Sequence, residues 1–232
     1  MLDADPGHVV ILAPRLTLAE GVLRHRRHAG LAPAVLLGQV PDRSQQPLFR
    51  GPRRSWGRHI QEIVGQLQAS CEGGQVVAID PAFRRAAAPP ARESPVYRLF
   101  VSLWEAGICA LPVVSRGCSL ADRAAMQAAS ATCGNQRWVL RFPLTPLDRH
   151  GAAEAACHWL ERTARELQVP PEQITALIDA SQLAAPHDRH TAHAVEAVAA
   201  SGPWRHVALS AGGRVGACLA AGSALQALTC DG

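Results

Sequence analysis

The stretch Gln173–Leu183, QITALIDASQL, decides how this chain is read. From Ile174 to Ile178 it is apolar or β-branched, it stops on Asp179, and it then turns polar. That is the pattern of a parallel strand buried on both faces, with a carboxylate at its carboxyl end. The same phrase recurs as HVVILAPR near the start, GQVVAIDP at Gly74–Pro81, ALPVVSRG at Ala110–Gly117, RWVLRFPL at Arg137–Leu144 and WRHVALSAGG at Trp204–Gly213. A further strand is expected over Ala34–Val40.

Between these runs the apolar residues fall at helical spacing. Leu18, Ala19, Val22 and Leu23 make a face over Leu16–His28, and Ile60, Ile63, Val64, Leu67 and Cys71 make one after Ser55. Val96, Leu99, Phe100 and Leu103 do so within Ser94–Gly107, and the SxxD signature Ser119-Leu120-Ala121-Asp122 opens a helix running to Cys133. Ala152–Gln168 carries the clearest amphipathic pattern, ended by Val169-Pro170-Pro171, while Thr191–Ala200 and Gly216–Leu228 read as further helices. The grammar is strand, helix, strand, helix, in seven units of about 25–40 residues, the size of a βαβ building block.

The fold expected is therefore α/β, a TIM-like (β/α) barrel occupying residues 1–232 as one domain, with long loops at about 41–55 and 82–94. Seven units are one short of a closed eight-stranded barrel. Either a last strand is hidden in the tail or the barrel is incomplete at its C-terminal end. A doubly wound open sheet is the rival, and strand order separates the two.

Composition narrows the class. Hydrophobic residues make up 48% of the 232 and charged ones 18%, enough apolar surface for a sizeable core. No apolar run approaches the roughly 18 residues that span a bilayer, so no membrane partner is expected. The start MLDADPGH lacks the features of a secretory signal, and the seven cysteines are scattered without a CxxC pair; a cytoplasmic location with reduced thiols is expected.

The formal charge of +4 includes 23 cationic residues, none of them lysine. Lysine Schiff bases, lysine general bases and a Walker-type lysine are thereby excluded, and arginine must do any anion binding. The basic run RHRRHAG ends a helix at Gly30 and reads as a solvated complement to the helix dipole, so nucleic acid is not the expected partner. In the loop after Val40, Phe49, Arg50, Arg53 and Arg54 are candidates for a lid over an anion, beside the reading of a plain insertion.

Strand parity then places the polar residues. Asp80 shares a face with Ala78 and Val76, Asp179 with Leu177 and Thr175, Arg141 with Val139, and Ser210 with Ala208. Ionic groups avoid the apolar helix layer, so all four are expected to point inward at the carboxyl ends of the strands, the end that carries function in this architecture. Arg141 and Asp179, on neighbouring strands, could pair with each other. Asp80 and Asp179, three strands apart, leave room for a ligand or a hydrated cation between them. Gly212 and Gly213, with Gly216, leave the last strand in SAGGRVG, where backbone N–H groups could cradle phosphate or simply form a turn.

HDRHTAH at His187–His193 has loose metal-like spacing around His190, His193 and Asp188, and equally reads as a capped helix start; no metal ligands are assigned. GxSxG, HExxH and GxGxxG do not occur, so serine hydrolase, zincin and dinucleotide-binding readings lack their signals.

The order of motifs resembles the phage "beta protein" family over nearly the whole chain. Arg15 and Leu18-Ala19-Glu20-Gly21 stand where that family opens its first helix with a K-x-G-E-like sequence, with Arg15 in the place of a lysine. VVAIDP with Asp80, Leu111-Pro112-Val113-Val114, Val139-Leu140-Arg141, Ala176-Leu177-Ile178-Asp179 and Trp204–Gly212 follow in the same order. The family continues into an aromatic-rich segment, whereas no Trp or Tyr follows Trp204 here. The resemblance implies a TIM-like barrel and a role in phage or mobile-element biology, and it supplies no reaction.

Two functions are expected. In the first, the barrel binds or acts on a small anionic, phosphorylated ligand at the carboxyl ends of its strands. Arg15 and Arg141 hold the anion, Glu20 and Ser210 line the site, Asp80 and Asp179 are metal ligands or acid/base groups, and the Gly212 and Gly213 amides cradle phosphate. The cofactor stays open, a divalent cation being the one considered. In the second, the chain is a non-catalytic interaction or scaffold module of a phage-defence or mobile-element system, with a protein as its partner.

Overall fold

The computed structural model describes residues 9–11, 35–39, 56–70, 76–81, 90–145, 151–180, 183, 189–210 and 218–219. Eight strands and five helices lie among them. In chain order they are β1 (Val9–Ile11), β2 (Val35–Gln39), α1 (Trp56–Ser70), β3 (Val76–Asp80), α2 (Pro95–Glu105), β4 (Cys109–Ser115), α3 (Leu120–Cys133), β5 (Trp138–Pro143), α4 (Ala152–Leu167), β6 (Ile174–Asp179), α5 (Arg189–Ser201), β7 (His206–Ser210) and β8 (Cys218–Leu219). The helix expected over Leu16–His28 and the loop at 41–55 fall outside the described residues. The loop expected at 82–94 ends in a 3-10 turn at Ala91–Glu93.

The sheet runs β1-β2-β3-β4-β5-β6-β7-β8, each strand beside the next in the chain. The pairs from β1 to β7 are parallel. Sequential order lacks the reversal that marks a doubly wound sheet, and with right-handed crossovers it places the helices on one side.

Strands β3 to β7 are buried on both faces, as their unbroken apolar runs require. Toward the helices, Val77, Ile79, Val114, Leu140, Phe142, Ile174, Ile178 and Val207 join the main core with Leu67, Leu99, Leu103 and Leu160. Phe142 meets Trp159 of α4 at 5.8 Å between ring centroids. Complete burial of one such side chain contributes about 1.5–3 kcal/mol. On the opposite face Ala78, Leu111, Val113, Val139, Leu177 and Ala208 form a second, smaller cluster drawn from β3 to β7. Alternation along each strand separates the two clusters completely, as Val113 against Val114 illustrates.

Local signals set the helix ends. Ser94 accepts a hydrogen bond from the Val96 amide at 3.2 Å, with Pro95 opening α2. Ser119 accepts from the Asp122 amide at 3.1 Å and donates to Asp122 Oδ2 at 2.8 Å, and α3 stops at Gly134, whose φ of 66° suits glycine.

The tail corrects one expectation. Cys218–Leu219, expected within a helix over Gly216–Leu228, is a strand antiparallel to β7, with Ala208 opposite Cys218 and Val207 opposite Leu219. The pairing gives backbone groups along β7 partners that a helix would not supply. Among the described residues no helix is long and apolar enough to cross a membrane.

Candidate functional site

The second, inner cluster supplies the floor of the site. Its rows continue toward the carboxyl ends of the strands and change there from apolar to polar: Ala78 leads to Asp80, Val113 to Ser115, Val139 to Arg141, Leu177 to Asp179 and Ala208 to Ser210. Asp80 and Asp179 are the last residues of β3 and β6. Arg141 starts lower, since its register partner on β6 is Leu177 while Asp179 is level with Pro143. Its long side chain makes up the difference.

The structure brings Asp80, Arg141 and Asp179 together. Arg141 Nε donates to Asp179 Oδ2 at 2.8 Å, Nη2 donates to the same oxygen, and Nη1 donates to Asp80 Oδ2 at 2.8 Å. All three are buried, with exposures of 5% for Asp80, 9% for Arg141 and 1% for Asp179. A ligand or hydrated cation was expected between the two acids. The protein's own guanidinium occupies that place and joins β3, β5 and β6.

Burial pulls the Arg141 pKa down, but attraction to Asp179 and Asp80 and the hydrogen bonds to both carboxylates outweigh it, so the guanidinium stays above its ordinary range and permanently charged. Buried charges are tolerated only when paired and hydrogen-bonded, which explains why the acids and the base occur as a set. Among the described residues the set has two carboxylates bonded to one guanidinium. Three of the five arginine N–H groups are engaged by carboxylate oxygen, and the other two bond no described residue.

Ser210 is opposite Asp179 in the β6–β7 register and is buried at 6% exposure. Main-chain bonds hold the rim: Leu144 N donates to Asp179 O at 2.8 Å and Ala180 N to Ser210 O at 2.7 Å. Arg15, Glu20, Gly212 and Gly213, expected as ligand-binding residues, lie outside the described residues. So do His187 and Asp188, while His190 and His193 are exposed on α5. Among the described residues no three His, Cys, Asp or Glu side chains gather as a metal site.

Ser115 was missed. It is level with Arg141 in the β4–β5 register, continues the inner row of Leu111 and Val113, and is half-buried where the acids are buried. The parity rule that selected Asp80, Asp179 and Ser210 selects it equally. At the opposite end of the same rows Thr175 and His206 are register partners, buried at 5% and 8% exposure, a polar pair where the barrel reading expected no function.

Comparison of the chain with protein-family models, curated proteins and solved structures finds no match.

Proposed function

We propose that the polar row at the carboxyl ends of the strands binds a small polar ligand and can act on it by acid–base chemistry, within a sheet that closes into a TIM-like barrel. The observation that carries the reading is the buried bridge from Asp80 through Arg141 to Asp179. It holds two carboxylates and a guanidinium rigidly above the apolar cluster of the inner face, the kind of preorganised charge a binding or catalytic site requires. Closure is favoured by the sequential strand order and by an inner face that packs on itself.

Within this reading Asp80 is the group that meets the ligand. Asp179 receives two of the three guanidinium bonds and is the more buried, so it anchors Arg141, and Arg141 in turn orients Asp80. A phosphoryl group on the ligand would be held by Arg15 and by the Gly212 and Gly213 amides.

The motif order that resembles the phage "beta protein" family supports a phage or mobile-element setting, and the scattered cysteines, with no CxxC pair, support a cytoplasmic one. A non-catalytic scaffold is the second reading, favoured by the fact that ion-pair sets also serve structure alone. A thermal-shift screen of nucleotides, sugar phosphates and divalent ions tests the choice. Stabilisation by one of them that Asp80→Asn abolishes, in a variant that still folds, supports the ligand site; no stabiliser from any class supports the scaffold.

A further inference from the structure

We infer that the boundary between β4 and β5 is a shear joint built into the fold, at which the part of the chain up to Asn135 moves against the part from Gln136 onward. The inference goes beyond the ligand-binding reading and stands whether or not the polar row binds anything.

The register carries it. In β3, β5 and β6 the same residues pair with a strand on each side: Val76–Ile79 with β2 and β4, Val139–Arg141 with β4 and β6, Thr175–Asp179 with β5 and β7. No residue of β4 does so. Cys109–Pro112 pair with β3 and Val113–Ser115 with β5, so the ladder changes sides between Pro112 and Val113. Pro112 contributes to the change, because it has no N–H to give either neighbour and proline inside a sheet is otherwise confined to edges and bulges.

The helix layer divides at the same place. The backbone of α1 lies close along α2, that of α2 along α3 and that of α4 along α5, but α3 and α4 do not approach in this way. Long polar side chains span the gap: Arg123 Nη1 donates to Glu166 Oε2 at 2.8 Å, and Gln127 Nε2 donates to Leu167 O at 3.2 Å. The turn from α3 to β5 is itself shared out. Asn135 Nδ2 donates to Ala110 O of β4 at 3.1 Å, whereas Gln136 Oε1 accepts from Gln173 Nε2, just ahead of β6, at 3.1 Å.

The polar row straddles the joint. Asp80 and Ser115 belong to the first part, Arg141, Asp179 and Ser210 to the second, and the bond from Arg141 Nη1 to Asp80 Oδ2 crosses between them. Movement at the joint therefore changes the spacing of Asp80 from Arg141 and leaves the Arg141–Asp179 pair intact. The apolar core is continuous across the boundary, with Val114 and Met126 on one side and Leu140 and Leu160 on the other. The two parts thus stay together while the short ladder between them opens, as in a shear between packed elements.

Native-state hydrogen exchange on the full chain, read residue by residue by NMR in sub-denaturing urea, tests this. The amides that bridge β4 and β5 within Val113–Ser115 and Val139–Arg141 should exchange at least about tenfold faster than those bridging β3 to β4 or β5 to β6, through an opening that leaves both flanking ladders protected. Glu166→Gln weakens a bridge across the gap at an exposed site, and should speed the β4–β5 amides about two- to five-fold further with β5–β6 unchanged. Tyr97→Phe removes the Tyr97–Thr132 bond inside the first part and should leave the difference between ladders as it was. Equal protection of the three ladders, or a Glu166→Gln effect spread evenly over them, overturns the inference.

Discussion

Two nitrogens of Arg141, Nε and Nη2, converge on a single oxygen of Asp179, whereas Asp80 receives one bond from Nη1. The two acids are therefore unequal partners of the same cation. Removing Asp179 leaves a buried guanidinium short of two bonds, and Asp179→Ala should cost about 3–5 kcal/mol. Asp80→Ala removes one bond to Arg141 at a slightly more exposed position and should cost about 1–3 kcal/mol. Urea unfolding of both variants checks the order; a larger loss for Asp80 would contradict the anchoring role given to Asp179.

The Ser119–Asp122 pair makes a reciprocal cap in which the Asp122 amide and carboxylate both bond the Ser119 hydroxyl. Ser119→Ala should cost about 1 kcal/mol. In a double-mutant cycle Ser119→Ala and Asp122→Ala should be less than additive, because each deletes the same side-chain contact.

Glycine-to-alanine substitutions should change sign with backbone conformation. At Gly134 an added Cβ meets nothing within 4 Å, but φ is +66°, so Gly134→Ala is strained by its backbone and should destabilise by about 1 kcal/mol. Gly65 lies inside α1, also with open space around it, and Gly65→Ala should stabilise by about 0.5–1 kcal/mol. Paired thermal melts decide whether the two shifts have opposite sign.

Burial pushes the Cys109 thiol up against the pull of Arg137, and burial together with Glu105 does the same to Cys133. Groups with raised folded-state pKa values contribute stability that is complete below the unfolded pKa and lost as pH rises through the folded one. Stability should thus decline above the ordinary thiol pKa, about 8.5. Iodoacetamide should modify Cys109 and Cys133 more slowly in the folded chain than in the unfolded chain at pH 8, with the gap closing at higher pH. Peptide mass spectrometry across pH 7–10 measures this. Arg141, raised in the same sense, titrates beyond this range and adds no slope to it.

Strands ending in Asp80 and Asp179 were legible because a doubly buried strand writes itself as an unbroken apolar run, and the two-residue alternation then assigns faces from local sequence alone. That rule placed Arg141 and Ser210 in the same rows as the acids. The bridge itself was not legible. Whether one side chain spans from β5 to both β3 and β6 depends on the stagger that puts Arg141 level with Leu177 and on the curvature of the sheet, neither of which is a property of a single strand. Ser115 was overlooked although the alternation that chose Ser210 chooses it too; its place level with Arg141 depends on the register of two strands, which neither strand carries alone. The strand at Cys218–Leu219 is two residues long, too short for any period, and the alanine-rich sequence after it suits a helix as well.

Sequential strand order has a temporal meaning as well. Each strand's partner is the next to emerge during synthesis, so the parallel ladder can zip up from the N-terminal end as the chain leaves the ribosome. The guanidinium is different: it must wait across 38 residues for Asp179 while Asp80, 61 residues earlier, holds it from the other side. Until residue 179 has been made, Arg141 lacks two of its three bonds to the acids. The bridge is thereby a late checkpoint, closing only when the sheet is almost complete.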